Sequence, residues 1–190
     1  GMTLRAVLEL VRDFRTRHTT PLVLMGYLNP FYVYGYEAFA RDAAQAGVDG
    51  VIIVDLPPEE AAEMEPFLRD QSIALVRLIA PTSLATRLPL LTHGASGYLY
   101  YVSIAGITGA GAASAAAVEQ SLAAIRRETQ LPICVGFGIK TPDDVKRFAA
   151  QADGVVVGSA IVRHTEQTGG NMLDLQAFVT PLVEACRRSA

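Results

Sequence analysis

Two glycine turns one strand apart, Gly136-Phe137-Gly138 and Gly158-Ser159-Ala160, are the residues whose types and spacing point most directly to chemistry. The first follows the apolar run Ile133-Cys134-Val135 and leads into a helical start marked by Thr141, Pro142 and the acidic pair Asp143-Asp144. The second follows Val155-Val156-Val157 and opens another helix. Glycine lets backbone approach a ligand closely, and bare N–H groups at a helix N-terminus carry partial positive charge suited to a phosphate dianion. Two such turns on successive strands would grip one phosphate from both sides. One strand-Gly-helix turn by itself also serves simply to reverse the chain in any α/β unit, so the pair carries the reading and neither member does alone. Parallel barrels often hold phosphate in the loops after their seventh and eighth strands. The place of these two strands in the fold therefore matters.

The elements that must position the turns alternate along the chain. Runs rich in Val, Ile and Leu predict strands at Leu22–Met25, Gly50–Val54, Ala74–Ile79, Gly97–Val102, Ile133–Val135 and Val155–Val157. Between them, amphipathic stretches predict helices near Leu4–His18, Tyr36–Ala46, Glu59–Asp70, Ala85–Thr92, Ala115–Glu128, Pro142–Gln151 and Leu173–Arg188. Thr3 and Ser83 suit N-caps, and Gly47 and Gly94 suit C-caps. Such alternation is the signature of βα repeats around a parallel sheet. A closed (β/α)8 barrel takes eight strands and roughly 250 residues. The fold expected is therefore an α/β TIM barrel that is incomplete, with about six strands and the N-terminal two βα units missing. On that count the last two strands here would be the seventh and eighth. An open doubly wound sheet is the structural rival.

A chain of 190 residues, 51% apolar and 18% charged, fits one globular domain spanning 1–190. The net charge of −3 and the absence of a Lys/Arg run interleaved with aromatics exclude a nucleic-acid face. Cys134 and Cys186 lack metal-ligand spacing and read as packing residues in a reducing, cytoplasmic setting. No leader or membrane-length apolar run is evident.

Ligands meet parallel sheets at strand C-terminal ends. Asp55 is the carboxylate placed directly at such an end, open to an acid/base role or to pairing with backbone or a neighbouring loop. Glu59 and Glu60 follow Pro57-Pro58 in a first helical turn, where carboxylates stabilise the macrodipole. Tyr98 and Tyr100 share one face of their strand and Tyr101 the other; an inward Tyr would position substrate, or simply pack. His18, His93 and His164 have no nucleophile paired to them by any motif and read as surface residues. The residues thus supply a phosphate cradle without a matching acid and base.

The motifs LMGYLNPF, VIIVDLPPEE, LIAPTS, GYLYYVSIAGITGAG, VGFGIKTPDDV and VVVGSAIV, in this order from Met2 to the C-terminus, resemble the tryptophan synthase alpha chain family. The resemblance implies a lyase of tryptophan biosynthesis that cleaves indole-3-glycerol phosphate to indole and glyceraldehyde 3-phosphate. It also implies a beta-chain partner in an alpha2-beta2 tetramer. It places the substrate phosphate against Gly109, Phe137, Gly138, Gly158 and Ser159, and makes Tyr100 and Thr108 substrate-positioning residues. Met25 and Ile52 would line the indole pocket, and Asn29, Asp55 and Pro57 would face the partner. No cofactor and no metal is expected on this chain, pyridoxal phosphate belonging to the beta chain. The family's two catalytic carboxylates, a glutamate at the second strand and an aspartate in the following loop, have no counterpart here, because Gly1-Met2-Thr3 matches the family just before its third strand. Two other readings stand beside this one. The first is a non-catalytic phosphate-binding or partner-regulating module; the second is a sugar-phosphate isomerase or epimerase, against which the GITG motif argues.

Overall fold

The computed structural model describes residues 1–84, 86–103, 115–136 and 138–187. The chain groups into two compact units, Gly1–Leu78 with Leu90–Gly97 and Ile79–Pro89 with Tyr98–Ala190.

In the first unit the order is α1 (Leu4–Arg15), β1 (Val23–Gly26), α2 (Leu28–Tyr34), α3 (Tyr36–Ala46), β2 (Gly50–Ile53), a 3-10 turn at Pro58–Glu63, α4 (Glu65–Asp70) and β3 (Ala74–Ile79). The strands run parallel in the order β1-β2-β3, with Met25 opposite Ile52 and Ile52 opposite Val76. Side chains alternate along a strand, so Val51, Ile53 and Leu75 share one face. They join Leu8, Val11, Phe39, Ala43 and Leu68 in a buried core, while Met25, Ile52 and Val76 form a row on the other face. Every residue of β2 is buried, which explains its continuous apolar run.

Local chemistry fixes the element ends. The Thr3 hydroxyl accepts from the Ala6 N–H and caps α1, and Gly47, at φ 92°, ends α3 in the left-handed conformation that a glycine adopts without strain. The expected helix over Glu59–Asp70 is instead a 3-10 turn followed by α4. Pro66, in the first turn of α4, lacks the N–H that a continuous helix would use there and favours a fresh start. Ser83 does not cap a helix: Pro81–Ser83 is a 3-10 turn, and α5 (Leu88–Thr92) begins next to Pro89. α2 was not expected at all. Its β-prone residues and Pro30 conceal a seven-residue helix held by Phe31, which meets Phe39 edge-on at 4.8 Å.

In the second unit come β4 (Leu99–Val102), α6 (Ala115–Glu128), β5 (Ile133–Gly136), α7 (Pro142–Ala149), β6 (Gly154–Val156), α8 (Ser159–Gln167) and α9 (Met172–Cys186). The strands are parallel in the order β4-β5-β6, with Tyr100 opposite Cys134 and Gly136 opposite both Val102 and Val156. α9 packs on α7 and α8.

One polar device occurs in both units. The Arg15 guanidinium donates to the carbonyls of Gly47 and Thr20 (2.8 and 2.6 Å) and pairs with Asp49, whose carboxylate also accepts the Leu22 N–H at the foot of β1. Arg126 pairs with Asp153 at 3.0 Å, and Asp153 accepts the Ile133 N–H at the start of β5. In each case a helix arginine ties two neighbouring strand starts together. Arg15→Ala is expected to destabilise the chain by about 2 kcal/mol, since several charge-assisted hydrogen bonds are lost together. A urea melt measures this, and an unchanged midpoint would contradict it. Arg77 in β3 is buried and lies 3.7 Å from Glu65; burial lowers its pKa, with Glu65 and Glu59 opposing the shift.

Candidate functional site

The two glycine turns lie at the C-terminal ends of adjacent strands of the second unit. Gly138 has φ +76°, a conformation that favours glycine, and among the described residues beyond the chain neighbours a Cβ there or at Gly158 would have nothing within 4 Å. Both residues are exposed. Bare backbone with open space beside it is what a backbone cradle for an anion requires.

The two helices that follow differ at their N-termini. α7 is closed by its own side chains: Thr141 accepts from the Asp144 N–H, and Asp144 accepts from the backbone N–H groups of Lys140 and Thr141. α8 has Gly158 at its cap and no side-chain cap hydrogen bond. The first N–H groups of a helix have no intrahelical partner. Among the described residues, α7 closes its first turn with its own side chains and α8 does not.

Burial pushes the Asp144 carboxyl up, but the hydrogen bonds from Thr141 and from the Lys140 and Thr141 backbone, with Arg147 nearby, hold it below its ordinary value. A carboxyl lowered on folding contributes stability above its unfolded value, near about 4, and that contribution is lost as pH falls through the folded value. Asp144→Ala is expected to lower stability by about 1 kcal/mol at neutral pH. The gap to the parent chain should close in acid. Melts at both pH values test this, and a gap independent of pH would contradict it.

β4 lies beside β5 and turns its residues to two faces. Leu99, Tyr101 and Ser103 are buried, whereas Tyr98 and Tyr100 are half-buried and share their face with Cys134. Burial raises the phenol of Tyr100, with Cys134 adding to the shift, so its hydroxyl stays a donor at neutral pH. The Tyr100 ring lies over Gly136, where any Cβ would overlap it. Ser103 grips the same glycine: its N–H and its hydroxyl both donate to the Gly136 carbonyl at 3.0 Å. The sequence reading missed both contacts, although period-two alternation already placed Ser103 on the face of Tyr101. Thr108, Gly109 and Phe137 lie outside the described residues.

In the first unit Met25, 60% exposed, stands next to Ile52 in the row described above. Asp55 accepts the Leu28 N–H at 2.6 Å, so its carboxylate caps the start of α2. This bond sets the end of β2 beside α2, on which Asn29 is exposed, and Pro57 follows half-buried. Glu59 and Glu60 occupy the first turn of the 3-10 segment. His18 and His93 are exposed, and His164 is partly exposed. Its ring stacks on Phe178 at 4.4 Å, with Nε2 3.2 Å from the Asp174 carbonyl. A cavity of about 510 Å³ bordered by Glu65, Arg69, His93 and Ser96 opens near Ile73 and Ala74, at the start of β3. The start of a parallel strand is the end that serves stability more than catalysis. Among the described residues no His/Cys/Asp/Glu group suits a metal, and no helix is long and apolar enough to cross a membrane.

A family model described as tryptophan synthase alpha chain matches residues 1–187. The tryptophan synthase alpha chain of Phenylobacterium zucineum is 48% identical over 190 residues, covering 100% of this chain and 69% of the relative. Subunit alpha of Legionella pneumophila tryptophan synthase superposes with a TM-score of 0.83 at 37% identity, over 96% of this chain and 69% of that one. A tryptophan synthase complex from Pyrococcus furiosus gives a TM-score of 0.84 at 32% identity, over 97% of this chain and 74% of that one. With such neighbours, the six parallel strands are those of an incomplete (β/α)8 barrel.

Proposed function

The chain belongs to the tryptophan synthase alpha chain family, a family of lyases, and from that premise we propose that it binds indole-3-glycerol phosphate through a backbone phosphate cradle. The observation that carries this reading is the uncapped N-terminus of α8 beside the open glycine turn after β5. Gly138, Gly158 and Ser159 receive the phosphate, joined by Gly109 and Phe137. Tyr100 offers a protonated hydroxyl to position the substrate, with Thr108 in the same role, and Met25 and Ile52 are assigned to the indole ring. The chemistry is retro-aldol cleavage to indole and glyceraldehyde 3-phosphate, which needs a group to move a proton at the indole end. Asp55, the carboxylate at the end of β2, is engaged by the Leu28 N–H and is not assigned that task. The proposal therefore rests on substrate binding by the cradle.

The beta chain is the proposed partner, through Asn29, Asp55 and Pro57; one solved relative is a tryptophan synthase complex. Pyridoxal phosphate is proposed to reside on that partner, and the setting is cytoplasmic. The test is binding of indole-3-glycerol phosphate measured by calorimetry, with and without beta chain, for the parent chain and for Gly158→Asp. Saturable binding by the parent that Gly158→Asp weakens is expected, because the added charge repels the phosphate. No binding by the parent chain would overturn the cradle.

A further inference from the structure

We infer that Ser103 is a positioning residue for the phosphate turn, its hydroxyl and N–H together clamping the Gly136 carbonyl at the root of the turn. The inference rests on the phosphate reading above and deepens it. Ser103 is 2% exposed and directly follows β4, and both of its donors reach one acceptor at 3.0 Å. The backbone bond continues the parallel ladder that sets Val102 opposite Gly136. The hydroxyl bond adds a second restraint on the same carbonyl, which loss of the hydroxyl would remove while leaving the backbone bond. Gly136 ends β5 two positions before Gly138, so what fixes Gly136 bears on where Gly138 is presented. From the other face of β4 the Tyr100 ring covers Gly136 and leaves no room for a Cβ. β4 therefore holds the first glycine from two sides, by packing and by hydrogen bonding. A ligand bound mainly by backbone donors depends on such support, because the donors cannot adjust one by one as side chains do.

The test measures the Kd of inorganic phosphate by calorimetry, and the melting temperature without phosphate, for the parent chain, Ser103→Ala and Ser103→Cys. The thiol keeps most of the volume and is a weak donor. The inference expects Ser103→Ala to raise the phosphate Kd about three- to tenfold, the worth of one hydrogen bond, with Ser103→Cys in between. A serine that matters only for folding would lower the melting temperature and leave Kd unchanged, which would overturn the inference. If Ser103→Ala does not fold, Ser103→Cys decides by the same criterion. No binding of phosphate by the parent chain would overturn the phosphate reading itself. Binding by the parent that is unaltered in both variants would overturn only the role of Ser103.

Discussion

Gly158→Asp is expected to weaken phosphate binding a hundredfold or more while leaving the chain folded. Gly158 is the cap of α8, with φ −115° and ψ −84°, and among the described residues beyond its chain neighbours a Cβ there has nothing within 4 Å. An aspartate at this position would set its carboxylate beside the first N–H groups of the helix, where negative charge is favoured. It would also place a negative charge where the phosphate has to sit. Two unit charges about 4 Å apart repel by roughly 4 kcal/mol at the effective dielectric near a protein surface, which corresponds to a factor of about 10³ in affinity. Melts of the variant separate loss of binding from unfolding. Gly158→Asn supplies a side chain of the same shape without the charge and should fall between the parent and Gly158→Asp. Calorimetry with inorganic phosphate, together with melts in phosphate-free buffer, provides both readouts. An unaltered Kd for Gly158→Asp would remove α8 from the site.

The second large effect is at Gly136. An added Cβ would lie 2.6 Å from Cζ of Tyr100, well inside van der Waals contact, and the ring is held half-buried next to Cys134. Overpacking of this kind costs about 1–3 kcal/mol. Gly136→Ala is therefore expected to destabilise the chain by about that amount and to displace the turn that bears Gly138, with phosphate affinity falling too. Because the clash is with one ring, removing the ring should relieve it. In the double variant Gly136→Ala with Tyr100→Ala, the cost of the alanine should largely vanish relative to Tyr100→Ala alone. The four chains form a double-mutant cycle read by urea denaturation. Strict additivity would mean that the ring does not bear on Gly136.

Much of this arrangement was legible in the residues because the signals are local. Apolar runs of three to six residues located the six described strands to within two residues, and Thr141-Pro142-Asp143-Asp144 announced a helix start that α7 bears out, with Thr141 as its cap. Alternation along Leu99–Ser103 separated the tyrosines into two faces; the structure settled which face was buried, since that depends on the layer of helices. What escaped was long-range or masked by propensity. Arg15 meets Asp49 across 34 positions and Arg126 meets Asp153 across 27, separations at which no periodicity operates. α2 escaped because Tyr32, Val33 and Tyr34 favour strands, and tertiary packing of Phe31 overrode that preference. The division of Glu59–Asp70 escaped because Pro66 reads equally as an end or as a beginning. The grip of Ser103 on Gly136 depends on strand register, which the motif pair indicates only as adjacency.

The most direct measurement is an amide NMR titration of the chain with glycerol 3-phosphate. If the phosphate sits against bare backbone, the N–H resonances of Gly138, Gly158, Ser159 and Ala160 should shift together along one saturating curve. Those of α7, closed by Thr141 and Asp144, should stay in place. Saturable binding that leaves these four amides unmoved, or no binding at all, would contradict the cradle.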